Sequence, residues 1–141
     1  AATLVSAWNG VPEARMLAYL VLFEGEFIQM QGAIKRLIPC PLFAEINKVV
    51  AREEARHIAF ARHYLQEMLP SLTLSEREDI FRWLKPIWFD CTRETVRDLP
   101  WFIRLSLGSR MSAWLETEWA ERRDMLEALG LFSPAERPRF Q

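Results

Sequence analysis

Residues 41–69 read PLFAEINKVVAREEARHIAFARHYLQEML, a stretch without glycine that opens on Pro41 and is closed by Pro70. Proline is tolerated in the first turn of a helix, where its missing N–H costs nothing, and it breaks a helix interior. The stretch therefore predicts one long helix from about Leu42 to Leu69. Ile46, Val50, Glu54, His57, Ala61 and Leu65 recur at the spacing of a single helical face, which is expected to point inward.

Upstream, Ile38-Pro39-Cys40-Pro41 is a tight break. Before it, from Pro12 to about Leu37, a second stripe runs through Leu17, Leu20, Val21, Glu24, Phe27, Ile28 and Gln31. Downstream, Ser75-Glu76-Arg77-Glu78 has the pattern of a capping box and is expected to start a third helix, kinked or split by Pro86 near Trp83. Asp98-Leu99-Pro100 is expected to start a fourth helix that runs to about Leu129, with Gly130 as its stop. The Pro- and Arg-rich tail from Ser133 is expected to be loosely held. No segment alternates convincingly as a strand. The expected fold is all-α: an antiparallel bundle of helices about 25 residues and about 38 Å long. It forms a single domain over 1–141, with a ligand-bearing helix pair at 12–69 and Trp-rich accessory helices at 75–130.

Composition narrows the function classes. The chain has 141 residues, half of them apolar, and a net charge of −1. It is too apolar for a disordered tail. It lacks the basic field that phosphate contacts with nucleic acid require. Two cysteines, Cys40 and Cys91, are too few for a disulfide scaffold and fit a reducing compartment, the cytoplasm. The apolar run from Met16 to Phe23 stops at Glu24, too short for a transmembrane helix.

Glu54 and His57 are three residues apart, so both project from one side of their helix. The short joint makes the two long helices antiparallel. Counted from Cys40, Glu24 lies 16 residues back, Glu54 14 forward and His57 17 forward. At about 1.5 Å per residue the heights are about 24, 21 and 25 Å. Two carboxylates and an imidazole therefore meet among apolar neighbours, Leu20, Val21, Ile28, Val50 and Ala61. Such groups are costly to bury unless paired or bound to a cation, and oxygen plus imidazole donors suit iron or manganese. Glu26 is the alternative to Glu24, at equally good height on another side of the helix.

Phe23-Glu24-Gly25, followed by Arg52-Glu53-Glu54-Ala55-Arg56-His57-Ile58-Ala59-Phe60, resembles the second half-motif of the ferritin-like di-iron carboxylate proteins. That family includes the ribonucleotide reductase small subunit, acyl carrier protein desaturases and p-aminobenzoate N-oxygenase. The resemblance covers residues 12–69. It implies Glu24, Glu54 and His57 as iron ligands, with Glu53 and Arg56 orienting them. It also implies an oxidoreductase, an oxidase or monooxygenase that activates O2 to oxidise an organic substrate. The family needs two Glu and two Glu-x-x-His sets, and this chain has two histidines in all, His57 and His63. His63 is nine residues from Glu54 and on another face. An upstream segment, a second chain or a homodimer mate would have to supply the rest. Two other readings stand beside this one: an iron-storing ferroxidase oligomer, and a non-catalytic helical interaction module.

The remaining candidates have plainer expectations. Tyr19 and Tyr64 are expected to pack with a wet hydroxyl, Cys40 and Cys91 to be inert, and His63 to be exposed. Phe81, Trp83, Trp88, Phe89, Trp101, Phe102, Trp114 and Trp119 are expected to form a subunit or domain interface. The charge run Glu116 to Asp124 reads as a solvated helix face.

Overall fold

A computed structural model describes residues 8–20, 40–97 and 111–141 of the chain. Every regular element among them is helical, as expected of an all-α chain. They are α1 (13–20), α2 (Pro41–Met68), α3 (Leu74–Arg97) and α4 (Met111–Ala128), with 3-10 turns at Leu69–Ser71 and Arg137–Arg139. Val21, Glu24, Glu26, Phe27, Ile28 and Gln31, the Ile38-Pro39 half of the break, and Asp98 to Phe102 lie outside the described residues.

The α2 helix starts where the prolines place it. Cys40 is extended (φ −115, ψ 117) and Pro41 takes the first turn. With 28 residues the helix is about 42 Å long, yet Leu65 is its one fully buried side chain. The core joins Ala14, Leu17, Ala18 and Leu20 of α1 to Leu65 and Leu69 at the end of α2. Ile80, Phe81, Leu84, Ile87 and Trp88 of α3, and Leu115, Trp119 and Leu126 of α4, complete it together with Leu129, Leu131, Phe132 and Phe140. Leu17 and Leu20 are thus inward, as their spacing predicts. Glu13 on α1 is buried and accepts a hydrogen bond of 3.1 Å from the Tyr64 hydroxyl on α2. This bond sets the start of α1 beside the last turns of α2.

Of three expectations for α3 and α4, two are corrected and one holds. The capping box lies two residues earlier than predicted, at Thr73 and Glu76. Glu76 Oε2 accepts from the Thr73 N–H (2.8 Å) and hydroxyl (2.7 Å), and Thr73 Oγ1 accepts from the Glu76 N–H (3.3 Å). These bonds hold the Glu76 carboxyl below the usual range. Pro86 does not split α3, which runs unbroken to Arg97. The proline faces solvent, while Leu84, Ile87 and Trp88 around it are buried and hold the helix to the core. Gly130 does stop α4, with φ 85. The Leu131 N–H reaches Leu126 O (3.0 Å) and the Gly130 N–H reaches Glu127 O (2.9 Å), so the last carbonyls are satisfied by a Schellman turn.

The tail is pinned rather than loose. Arg77 grips both Glu136 oxygens (2.9 and 3.0 Å) and Leu131 O (3.0 Å). Glu136 also accepts from the Ser133 N–H and hydroxyl. Arg137 pairs with Asp124 and Glu127, and Arg139 with Glu78. Phe140 is fully buried, 4.6 Å from the Phe132 ring. The arginines that suggested solvent are ion-pair partners, and one aromatic ring supplies the burial. The aromatic density likewise belongs mainly to the interior. Trp119 packs against Phe81, Trp88 and Phe89 at 5.4–5.9 Å, and Phe81, Trp88 and Trp119 are buried; Trp114 is exposed. The interface expected of these rings is therefore, for those three, a core.

Candidate metal centre on the second helix

Successive residues of an α-helix turn by about 100°. On that wheel Phe43, Asn47, Val50, Glu54, Ile58, Ala61 and Leu65 form one stripe of α2, and each is buried or half-buried. A second stripe, Leu42, Ile46, Val49 and Phe60, is exposed although apolar. The covered face is thus rotated from the predicted one. Val50, Glu54, Ala61 and Leu65 remain on it; Ile46 and His57 fall on its outer edge.

The Glu54 side chain is 41% exposed and the His57 side chain 75%. His57 Nδ1 stands 3.9 Å from Glu54 Oε2, within ion-pair range but beyond a hydrogen bond. One carboxylate oxygen and one imidazole nitrogen thus lie within reach of a common ion, as i,i+3 spacing dictates. Glu53 and Arg56 bind each other: Arg56 Nη1 donates to both Glu53 oxygens (2.9 and 3.0 Å), and Arg52 Nε lies 3.6 Å from Glu53. Neither makes a bond to Glu54 or His57 among the described residues. Glu24 and Glu26, the candidates for the facing carboxylate, lie outside them. Among the described residues no cluster of three or more His, Cys, Asp or Glu side chains could hold a metal ion.

The histidine and the cysteines fall where expected; the tyrosines do not, since Tyr19 is exposed rather than packed and the Tyr64 hydroxyl is bonded to buried Glu13 rather than wet. His63 is exposed beside Glu67 (3.4 Å), Cys40 is exposed, Cys91 is half-buried and Tyr19 is exposed. Tyr64 is half-buried; its hydrogen bond to Glu13 pushes the phenol above its usual value, so it stays protonated and donates. Glu13 is the residue that the pattern missed. It precedes Leu17 by four residues and so continues the Leu17–Leu20–Glu24 stripe, a signal present in the sequence. Among the described residues no helix is long and apolar enough to cross a membrane.

Comparison with known proteins adds a size relation rather than an activity. Three uncharacterised mycobacterial proteins, one from Mycobacterium bovis and two from strains of Mycobacterium tuberculosis, are each 30% identical to this chain over 115 residues. The match takes in 69% of this chain and 32% of each relative, so the chain spans about a third of the length of the curated relatives it matches. No family model matches the chain, and no solved structure matches it.

Proposed function

We propose that this chain carries one half of the ligand set of a cytoplasmic, ferritin-like, non-haem di-iron oxidoreductase. The observation that carries the reading is the placement of Glu54 on the covered stripe of α2 with His57 one turn further on. The donors are of the kind iron takes, a carboxylate and an imidazole on one helix face, and manganese would suit them too. Glu24 is the third ligand, with Glu26 as the alternative. When bound, the di-iron centre supplies the redox chemistry that activates O2 for oxidation of an organic substrate.

This chain's own groups have narrower tasks. Glu54 offers two oxygens whose mode of binding can shift, which frees a coordination position. His57 offers a ring nitrogen held near that carboxylate. Glu53 and Arg56 stiffen the same turn through their mutual bond. The second Glu and Glu-x-x-His set comes from a further part of a longer polypeptide or from a second chain. That the match covers only 32% of each relative supports the former, and covering the Leu42–Ile46–Val49–Phe60 stripe would also enclose His57.

That exposed apolar stripe favours one other reading, a helical interaction module without metal. Anaerobic reconstitution of the intact gene product with Fe(II), followed by iron analysis, separates the two. The di-iron reading expects iron in the wild type, and its loss in Glu54→Ala and His57→Ala with helicity unchanged. A wild type that takes up no iron overturns it and leaves the interaction module. An iron-storing oligomer would instead appear as a large closed particle by light scattering.

A further inference from the structure

A helix that leaves aligned apolar side chains in water is missing a neighbour. The α2 helix is about 42 Å long, and Leu65 near its end is its one fully buried side chain. On its outer side Leu42, Ile46, Val49 and Phe60 are 50–71% exposed. Exposed apolar residues scattered singly need no explanation, but these four fall on one line of the helix wheel.

The spacing and the charge of that line narrow what covers it. Its steps, Leu42 to Ile46 to Val49, are four and three residues, the seam against which a second helix packs nearly in line with the first. Phe60 lies 18 residues beyond Leu42, about 27 Å along the axis. Glu53 and Arg56 sit astride the middle of the line and bind each other. The other charges at its border are also paired on α2: Lys48 with Glu45 (3.9 Å), Arg52 with Glu53 (3.6 Å) and His63 with Glu67 (3.4 Å). Lys48, Arg52 and Arg56 thus balance Glu45, Glu53 and Glu67, and no strong field of either sign borders the apolar residues. That balance suits neither an anionic membrane nor a nucleic acid. A neutral apolar helix fits it.

Length points to the source of that helix. The match takes in 32% of each mycobacterial relative, so most of each relative lies outside it. We propose that the Leu42–Phe60 face of α2 is docked by a helix of the same polypeptide from outside these 141 residues. That helix is at least about 18 residues long, to span the line at equal rise per residue. It carries apolar side chains toward both ends of its contact face, and polar or small ones at mid-length opposite Glu53 and Arg56. Docking buries the four apolar side chains and shields His57 beside them. The proposal rests on the longer polypeptide of the di-iron reading and needs no metal.

Photo-cross-linking of the intact, iron-free gene product tests it. The photoreactive residue p-benzoylphenylalanine is placed singly at Ile46, Val49 and Phe60, and the linked peptides are identified by mass spectrometry. The expected result is a cross-link within one polypeptide from each position to a single segment outside the 141 residues. The sites reached from Ile46 and Phe60 should lie about 14 residues apart, because two helices packed in line advance together. A covalent dimer of two copies overturns the proposal, as do cross-links to residues 21–39 of this chain. So does wild-type protein in which hydroxyl-radical labelling finds Phe60 as reactive as in the unfolded chain. Phe60 is replaced aromatic for aromatic, so that position decides even if another probe prevents folding. A product that cross-links as expected but takes up no Fe(II) overturns the metal reading alone; one that binds iron yet links copy to copy overturns the docking alone.

Discussion

Replacing Phe140 by alanine separates a pinned tail from a loose one. The ring is fully buried, stacked 4.6 Å from Phe132 and edge-on to Phe81 at 5.5 Å. A phenylalanine side chain offers about 150–250 Å2, and at about 25 cal/mol per Å2 its burial is worth about 4–6 kcal/mol as an upper bound. Measured truncations of buried Phe cost about 3–5 kcal/mol, less where neighbours close the gap. Phe132 and Phe81 can move toward the vacated space, so the expected loss is about 3 kcal/mol, the low end of that range. For a chain of this size that corresponds to a fall in Tm of about 10 °C. Urea unfolding followed by circular dichroism reads it directly: the midpoint should drop with the slope unchanged. A loss below about 1 kcal/mol, the level of an ordinary surface substitution, would refute the packing of the tail.

Other substitutions probe the joints. Gly130→Ala places a Cβ at φ 85 and 2.9 Å from Pro70 Cγ, so a loss of more than about 1 kcal/mol is expected in the same urea assay. Thr73→Ala removes the cap of α3 and should cost about 1 kcal/mol, while Ser75→Ala, outside the box, should cost little. The Arg77 guanidinium draws the Glu136 carboxyl down from 4.5 to about 2. A carboxyl depressed in the fold stabilises fully above its unfolded value and loses that contribution as pH falls from about 4.5 toward 2. Unfolding midpoints measured across that window should therefore decline less steeply in Glu136→Gln than in the wild type. Equal slopes would show that the pair does not couple to the fold.

The sequence was most legible where one residue type has one physical use. Pro41 and Pro70 frame α2 because proline tolerates a helix start and ends an interior, and Gly130 stops α4 because it alone adopts positive φ at no cost. Patterns with two readings were harder. Two acids and two hydroxyls near residue 75 offer competing capping boxes, and Thr73 wins because it is the first residue outside the helical turn. On α2 the apolar residues supply two stripes, and periodicity alone does not say which one meets the core. Leu65 and Leu69 decide it, by anchoring the helix through its last turn and turning His57 toward the edge. Arginines in the tail looked solvated because charge patterning carries no information about distant partners such as Glu78 and Asp124.

His57 is where an exposed histidine of no consequence and an iron ligand differ most. The measurement is the iron content of the intact gene product after anaerobic loading with Fe(II), compared between wild type and His57→Ala at matched helicity. About two irons per complete site are expected in the wild type, with a marked loss in the variant. Equal iron in both proteins would contradict the metal reading.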